Sequence, residues 1–209
     1  MRIALIHATP FAMEPVADAL LRLWPAAEPM HLLDDRLSVD RARGVPVAET
    51  DRRIMALAVY AREAGADGVL FTCSAFGPAI GAAANTLDCP VLKPNEAMFR
   101  DAIAIGGPIG LLASFEPSIP PMAQEFAEIT DIELCTDCAP NAMTALSAGD
   151  GPAHDEALAV VAEGLSGCTA VMLAQFSTAR ARDAVQARIN LPVLTSPDSA
   201  VLAMKAKLD

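Results

Sequence analysis

The segment from Gly65 to Ala102 aligns without gaps to the segment from Gly167 to Met204, at a constant spacing of 102 positions. Gly65, Val69, Ala79, Ala82, Pro90, Val91 and Leu92 meet residues of identical type in Gly167, Val171, Ala181, Ala184, Pro192, Val193 and Leu194. Self-similarity at one fixed spacing is the mark of a repeated structural unit. Both copies share an order: Gly, an apolar strand, a short polar patch, an Ala-rich helix, then Pro-Val-Leu and a helix start. The stretch from Ile3 to Ala8 likewise resembles that from Ile109 to Ser114. The chain therefore reads as two similar lobes, residues 1–104 and 105–209, the last helix being free to pack back on the first lobe.

Within each lobe, short apolar runs ending in small or polar residues alternate with stretches of helical period, the pattern of parallel strands joined by crossover helices. Expected strands are Ile3 to His7, Met30 to Leu33, Gly68 to Thr72, Val91 to Leu92, Ile109 to Ala113, Ile132 to Cys135, Ala170 to Ala174 and Val193 to Leu194. They divide into four and four, so the expected fold is α/β, each lobe a four-stranded parallel sheet flanked by helices. Those helices should run from about Pro15 to Leu23, Glu49 to Ala64, Ala75 to Ala84, Asn95 to Ala104, Pro121 to Glu128, Asp155 to Leu165, Ser177 to Arg188 and Ser199 to Lys207.

Composition narrows the partners. A net charge of -11 over 209 residues disfavours nucleic acid and anionic membrane surfaces. The longest weakly polar run, Ala102 to Phe115, is broken by Gly106, Gly107 and Pro108 and falls short of a spanning helix. The start of the chain reads as a first strand, not a secretion signal, and five cysteines at irregular positions fit free thiols of a cytoplasmic protein.

In open parallel sheets ligands bind beyond the carboxyl ends of the strands. After the first strands come His7-Ala8-Thr9-Pro10 and Ser114-Phe115; after the third come Thr72-Cys73-Ser74-Ala75 and Ala174-Gln175-Phe176-Ser177, with Cys73 matched to Gln175 by the repeat. A thiol at a strand end beside a helix N-terminus has its acidity raised by backbone N–H groups and the helix dipole, which makes Cys73 the candidate reactive residue. Hydroxyls of Thr9, Thr72, Ser74, Ser114 and Ser177, with backbone donors at the two helix starts, could hold a carboxylate without lysine or arginine. The competing structural reading makes Cys73 a small buried hydrophobe and the hydroxyls helix caps.

Cys135-Thr136-Asp137-Cys138 is a lone C-x-x-C with no partner motif to complete a zinc site. Cys89 and Cys168 read as packing residues, and His31 and His154 as surface or loop residues. No Gly-x-Gly-x-x-Gly follows the first strand and no Gly-Lys-Ser/Thr loop occurs, so neither a nucleotide cofactor nor a metal is expected.

The run Gly65-Ala66-Asp67-Gly68-Val69-Leu70-Phe71-Thr72-Cys73-Ser74 resembles the first cysteine motif of the aspartate/glutamate/hydantoin racemase superfamily, and Ala170 to Ser177 occupies the place of the second. His7-Ala8-Thr9-Pro10 falls at the family's first-strand substrate loop. The resemblance implies two pseudo-symmetric α/β lobes with an active site between them, no cofactor, a small carboxylate-bearing substrate and two cysteines facing opposite sides of its α-carbon. Here Gln175 stands where the second cysteine is expected, and an amide is no acid or base at ordinary pH.

Three one-thiol readings follow from the resemblance: racemisation with another proton carrier such as a Thr, His7 or water; decarboxylation as in arylmalonate decarboxylase; and isomerisation as in maleate isomerase. The leading one is a cofactor-independent isomerase with Cys73 as acid/base, and His7, Thr9, Pro10, Thr72, Ser74, Ala75, Ser114, Phe115, Gln175, Phe176 and Ser177 as substrate contacts. The alternative from another class is a carboxylate-binding protein without turnover. Relatives are commonly dimers or larger, which leaves a homo-oligomer open. Phe11, Phe76, Phe115 and Phe176 hint at an apolar side to the site.

Overall fold

The computed structural model describes residues 1–209 and holds two compact units, Met1–Glu96 with Ala200–Asp209, and Ala97–Ser199. The first contains β1 (Arg2–His7), α1 (Met13–Leu23), β2 (Glu28–Leu33), α2 (Leu37–Ala42), α3 (Val47–Glu63), β3 (Gly68–Phe71), α4 (Gly77–Thr86) and β4 (Val91–Leu92). The second contains most of α5 (Glu96–Ile105), then β5 (Ile109–Ala113), α6 (Ile119–Ala127), β6 (Leu134–Cys138), α7 (Ala142–Ser147), α8 (Gly151–Ala162), β7 (Ala170–Leu173), α9 (Arg182–Gln186) and β8 (Val193–Thr195). The closing helix α10 (Ser196–Leu208) returns most of its length to the first unit.

Each unit is built on a four-stranded parallel sheet, in the order β2-β1-β3-β4 and β6-β5-β7-β8. The order puts the first and third strands of each unit side by side at the centre, with Ile6 opposite Phe71 and Leu112 opposite Leu173. Central parallel strands are covered on both faces and so read as continuous apolar runs; β3 and β7 are buried along their whole length. The edge strand β2 is partly exposed along its length.

The pleat distributes the second unit's side chains to two cores. Leu112, Val171 and Leu173 pack with Leu158 and Val185 on one face, while Leu111 and Met172 meet Met98, Phe99, Met122 and Phe126 on the other. Phe99 and Phe126 meet edge to face with centroids 5.4 Å apart, the arrangement that aromatic quadrupoles favour. In the first unit Ile6, Phe71, Leu37, Ile54 and Ile80 share a core. On β3, a Cβ built on Gly68 would stand 2.6 Å from the Met204 sulfur, so only glycine lets α10 lie this close to the strand.

The expected fold is observed; the departures are local. Helices α2 and α7 form in segments where no helix was expected. The second strand of the second unit begins at Leu134 instead of Ile132, because the Ile132 N–H turns back to Thr130 Oγ1. The helix expected from Ser177 to Arg188 is a 3-10 turn, Phe176–Ala181, followed by the short α9. Thr178 drives that turn: its hydroxyl donates to the Gln175 carbonyl at 2.7 Å and accepts from the Gln175 N–H at 3.2 Å. No helix is long and apolar enough to cross a membrane.

Candidate active site

All four central strands end in the same way. An extended residue leaves the strand and a 3-10 turn leads into the next helix: Thr9 before Pro10–Ala12, Cys73 before Ser74–Phe76, Phe115 before Glu116–Ser118, and Gln175 before Phe176–Ala181. These are the carboxyl ends where open parallel sheets expose backbone N–H groups to ligands. Of the four residues only Cys73 carries an ionisable group.

In the first unit, Cys73 is half-buried and Thr72 buried, while Ser74 and Ala75 face solvent. Burial pushes the Cys73 thiol above its ordinary value, opposed by the Ala75 N–H, the Ser38 hydroxyl and the positive charge of Arg41. This corrects the expectation of a thiol made acidic by its position: desolvation outweighs the donors at the turn. Ser38 and Arg41 lie on α2, where no helix was expected, and the hydrophobic spacing missed them because a six-residue helix with one buried residue, Leu37, has little periodicity to show.

His7, at the end of β1, is fully buried, as is the neighbouring Ala8, while Thr9 is half-buried and Pro10 exposed. Its Nδ1 lies 2.9 Å from Thr72 Oγ1 and its Nε2 lies 3.0 Å from His31 Nδ1. The Thr72 hydroxyl donates to the Ile6 carbonyl, so it accepts from His7 Nδ1–H, and His7 Nε2 in turn accepts from His31. The two rings stack with centroids 5.1 Å apart. Burial first, then the facing His31, lower the His7 pKa to about 4, which keeps the imidazole neutral at pH 7. Both His7 nitrogens and the Thr72 hydroxyl are thus committed within the protein.

In the second unit Gln175 is half-buried and held on both sides of its amide. Its Oε1 accepts from the Ser114 backbone N–H at 3.2 Å and from the Ser114 hydroxyl at 3.3 Å, and its Nε2 donates to Ser118 Oγ. Ser114 and Gln175, expected as separate contacts, form one hydrogen-bonded cluster with Ser118, which sequence reasoning did not single out. Phe115 is exposed, and Ser177 and Phe176 are buried.

Other expectations are corrected by burial. Phe76 and Phe176 belong to the cores, leaving only Phe11 and Phe115 exposed among the four phenylalanines expected near the site. His154 is fully buried on α8, its Nδ1 2.8 Å from Asp155 Oδ1, and His31 is half-buried against His7; neither is a surface histidine. Cys135 and Cys138 lie three apart on β6, which sends their side chains to opposite faces: Cys135 packs with one core and Cys138 with the other. Cys135 shares its core with Cys168, whose thiol is pushed up to about 11 by burial and by that neighbour.

No curated protein sequence matches the chain significantly. Among solved structures, an aspartate racemase from Picrophilus torridus superposes with a TM-score of 0.76 at 13% identity, over 99% of this chain and 94% of that one. A glutamate racemase from Bacillus anthracis gives 0.73 at 13% identity, over 98% and 80%. A mutant arylmalonate decarboxylase in its sulfate-associated form gives 0.72 at 14% identity, over 100% and 93%. At such identities the likeness is one of fold. The profile of the Asp/Glu/Hydantoin racemase family matches residues 7–165, a span that runs from His7 through both β3 and β5. With a cysteine at the first motif position and paired parallel sheets behind it, this chain belongs to the Asp/Glu/Hydantoin racemase family.

Proposed function

We propose that this chain is a cofactor-independent isomerase that works at the α-carbon of a small carboxylate-bearing substrate, with Cys73 as its single thiol acid/base. The observation that carries the reading is that Cys73 is the one ionisable residue among the four that leave the central strands. A thiolate there removes the α-proton, and the negative charge passes to the substrate carboxylate as an enediolate; water delivers a proton to the opposite face of the carbon, and the thiol releases the abstracted proton to solvent, which completes the turnover. The solvent-facing or half-buried Thr9, Pro10, Ser74 and Ala75, at the ends of the adjacent strands β1 and β3, are the proposed substrate contacts. Five unpaired thiols suit a reducing compartment such as the cytoplasm.

Cys73→Ser tests the assignment. A serine hydroxyl is a far weaker acid than a thiol, so exchange of the substrate α-proton with deuterated solvent should fall at least about a hundredfold. Exchange at the parent rate would rule Cys73 out as the base. Amino acids, hydantoins, arylmalonates and maleate are the substrates to screen.

The upward push on the thiol favours a second reading, in which Cys73 starts protonated and delivers its proton to the enediolate left by a departing carboxylate, the chemistry that arylmalonate decarboxylase is named for. The pH profile separates the two. A base must first ionise, so its kcat/KM rises with pH towards the raised thiol pKa; an acid loses activity as pH passes through it.

A further inference from the structure

Helix α2 places two side chains beside Cys73 that the proposed reaction leaves unassigned. The Ser38 hydroxyl donates to the Ala8 carbonyl at 3.4 Å, just past the end of β1, and it opposes the upward push on the thiol. Arg41 is three residues further along and so shares that face of the helix. Its guanidinium lies over the Phe76 ring, 4.7 Å from the centroid, and one terminal nitrogen donates to Asp51 Oδ1 at 2.8 Å. The remaining polar feature is an anomaly: Arg41 Nε is buried with no hydrogen-bond partner, and a buried, unsatisfied donor on a charged group is costly. Phe76 closes the 3-10 turn that Cys73 opens, so stacking on it holds the guanidinium next to the turn that carries the sulfur.

We propose that Arg41 is a positioning residue for Cys73, a counter-ion laid flat on Phe76 and tethered by Asp51 that stabilises the negative charge left on sulfur when the thiol gives up its proton. The inference rests on the reading of Cys73 as acid/base and deepens it. Ser38 completes the device. Its single proton points to the Ala8 carbonyl while Cys73 is a thiol, and rotates to the sulfur when Cys73 ionises, alongside the Ala75 N–H. The cationic stack also accounts for the choice of arginine, since a planar guanidinium can rest on a ring and donate at its edge at the same time.

The test is the rate of alkylation of Cys73 by iodoacetamide in the full-length protein, followed by peptide mass mapping as a function of pH. Arg41→Met should move the midpoint of the curve up by about one pH unit and slow labelling near neutrality about tenfold. Arg41→Lys, which keeps the charge, should recover at least half of that shift. Asp51→Asn keeps an amide oxygen to accept from the guanidinium and so keeps the tether, removes only the carboxylate's negative charge that offsets it, and should move the midpoint down. A parent-like midpoint in Arg41→Met, or a lysine variant as slow as the methionine one, overturns the proposal. Should Arg41→Met fail to fold, Asp51→Asn decides alone, and an unchanged or raised midpoint overturns it. The readout is labelling, so the predicted shifts without turnover on any substrate would refute the proposed reaction and uphold the counter-ion.

Discussion

The ends of β3 and β7 are built alike and equipped differently. Each strand is buried along its length, releases one extended residue, and feeds a 3-10 turn and a helix. At the first, that residue is a thiol pushed up by burial and opposed by the hydroxyl of Ser38 and the charge of Arg41. At the second it is an amide whose oxygen and nitrogen are both taken up by Ser114 and Ser118. The difference shows that a repeat preserves what the backbone needs, the strand, the turn and the small residues that pack there, while leaving the exit position free to diverge. In this chain a thiol stands at one exit, and at the other an amide is hydrogen-bonded to two serines.

The same division runs through the neighbouring strands. Beside Cys73, β1 ends in a buried His7 whose two nitrogens are paired; beside Gln175, β5 ends in Ala113, with no polar side chain at all. The largest effect expected from this contrast is a pH dependence confined to the first unit. The unfolded chain binds a proton on His7 near 6.5, the folded one only near 4. Stability is therefore fully present above pH 6.5 and is lost as the pH falls from there to 4, by roughly 3 kcal/mol. Urea unfolding across that window measures it, and His7→Gln should remove most of the slope. An unchanged slope in the variant would break the contrast.

A smaller effect belongs to the second unit. Gln175→Ala leaves the Ser114 N–H and hydroxyl without their acceptor, while Ser118 keeps its bond to the Phe115 carbonyl, at a cost of about 2 kcal/mol of stability read by urea unfolding. Because the amide is taken up by these serines, alkylation of Cys73 should proceed at the parent rate in this variant. Loss of Cys73 labelling with no loss of stability would show that Gln175 serves chemistry instead.

The repeat and the uninterrupted apolar runs made the two sheets legible in the sequence, since central parallel strands admit only apolar side chains on both faces. The matched positions of Cys73 and Gln175 were legible for the same reason. What the sequence could not show depends on contacts between distant residues. Helix α2 is pinned by Arg53, which bridges Asp34 and Asp40 across a sharp bend, and by the Arg41–Asp51 pair; no local spacing announces either. His31 lies on an edge strand, and only the pairing of β1 with β2 brings it to His7. The depth at which Cys73 sits, which reverses the expected direction of its acidity, is likewise set by the residues packed over it and not by its place in the motif.

The central claim is that proton transfer in this protein is one-sided. It is tested most directly by following solvent deuterium into the α-position of each enantiomer of a turned-over substrate separately. A single thiol should exchange the proton of one enantiomer with its configuration kept, many times faster than it inverts either. Equal exchange of both enantiomers, each accompanied by inversion at the same rate, would mean a second acid/base of equal strength and would contradict the account.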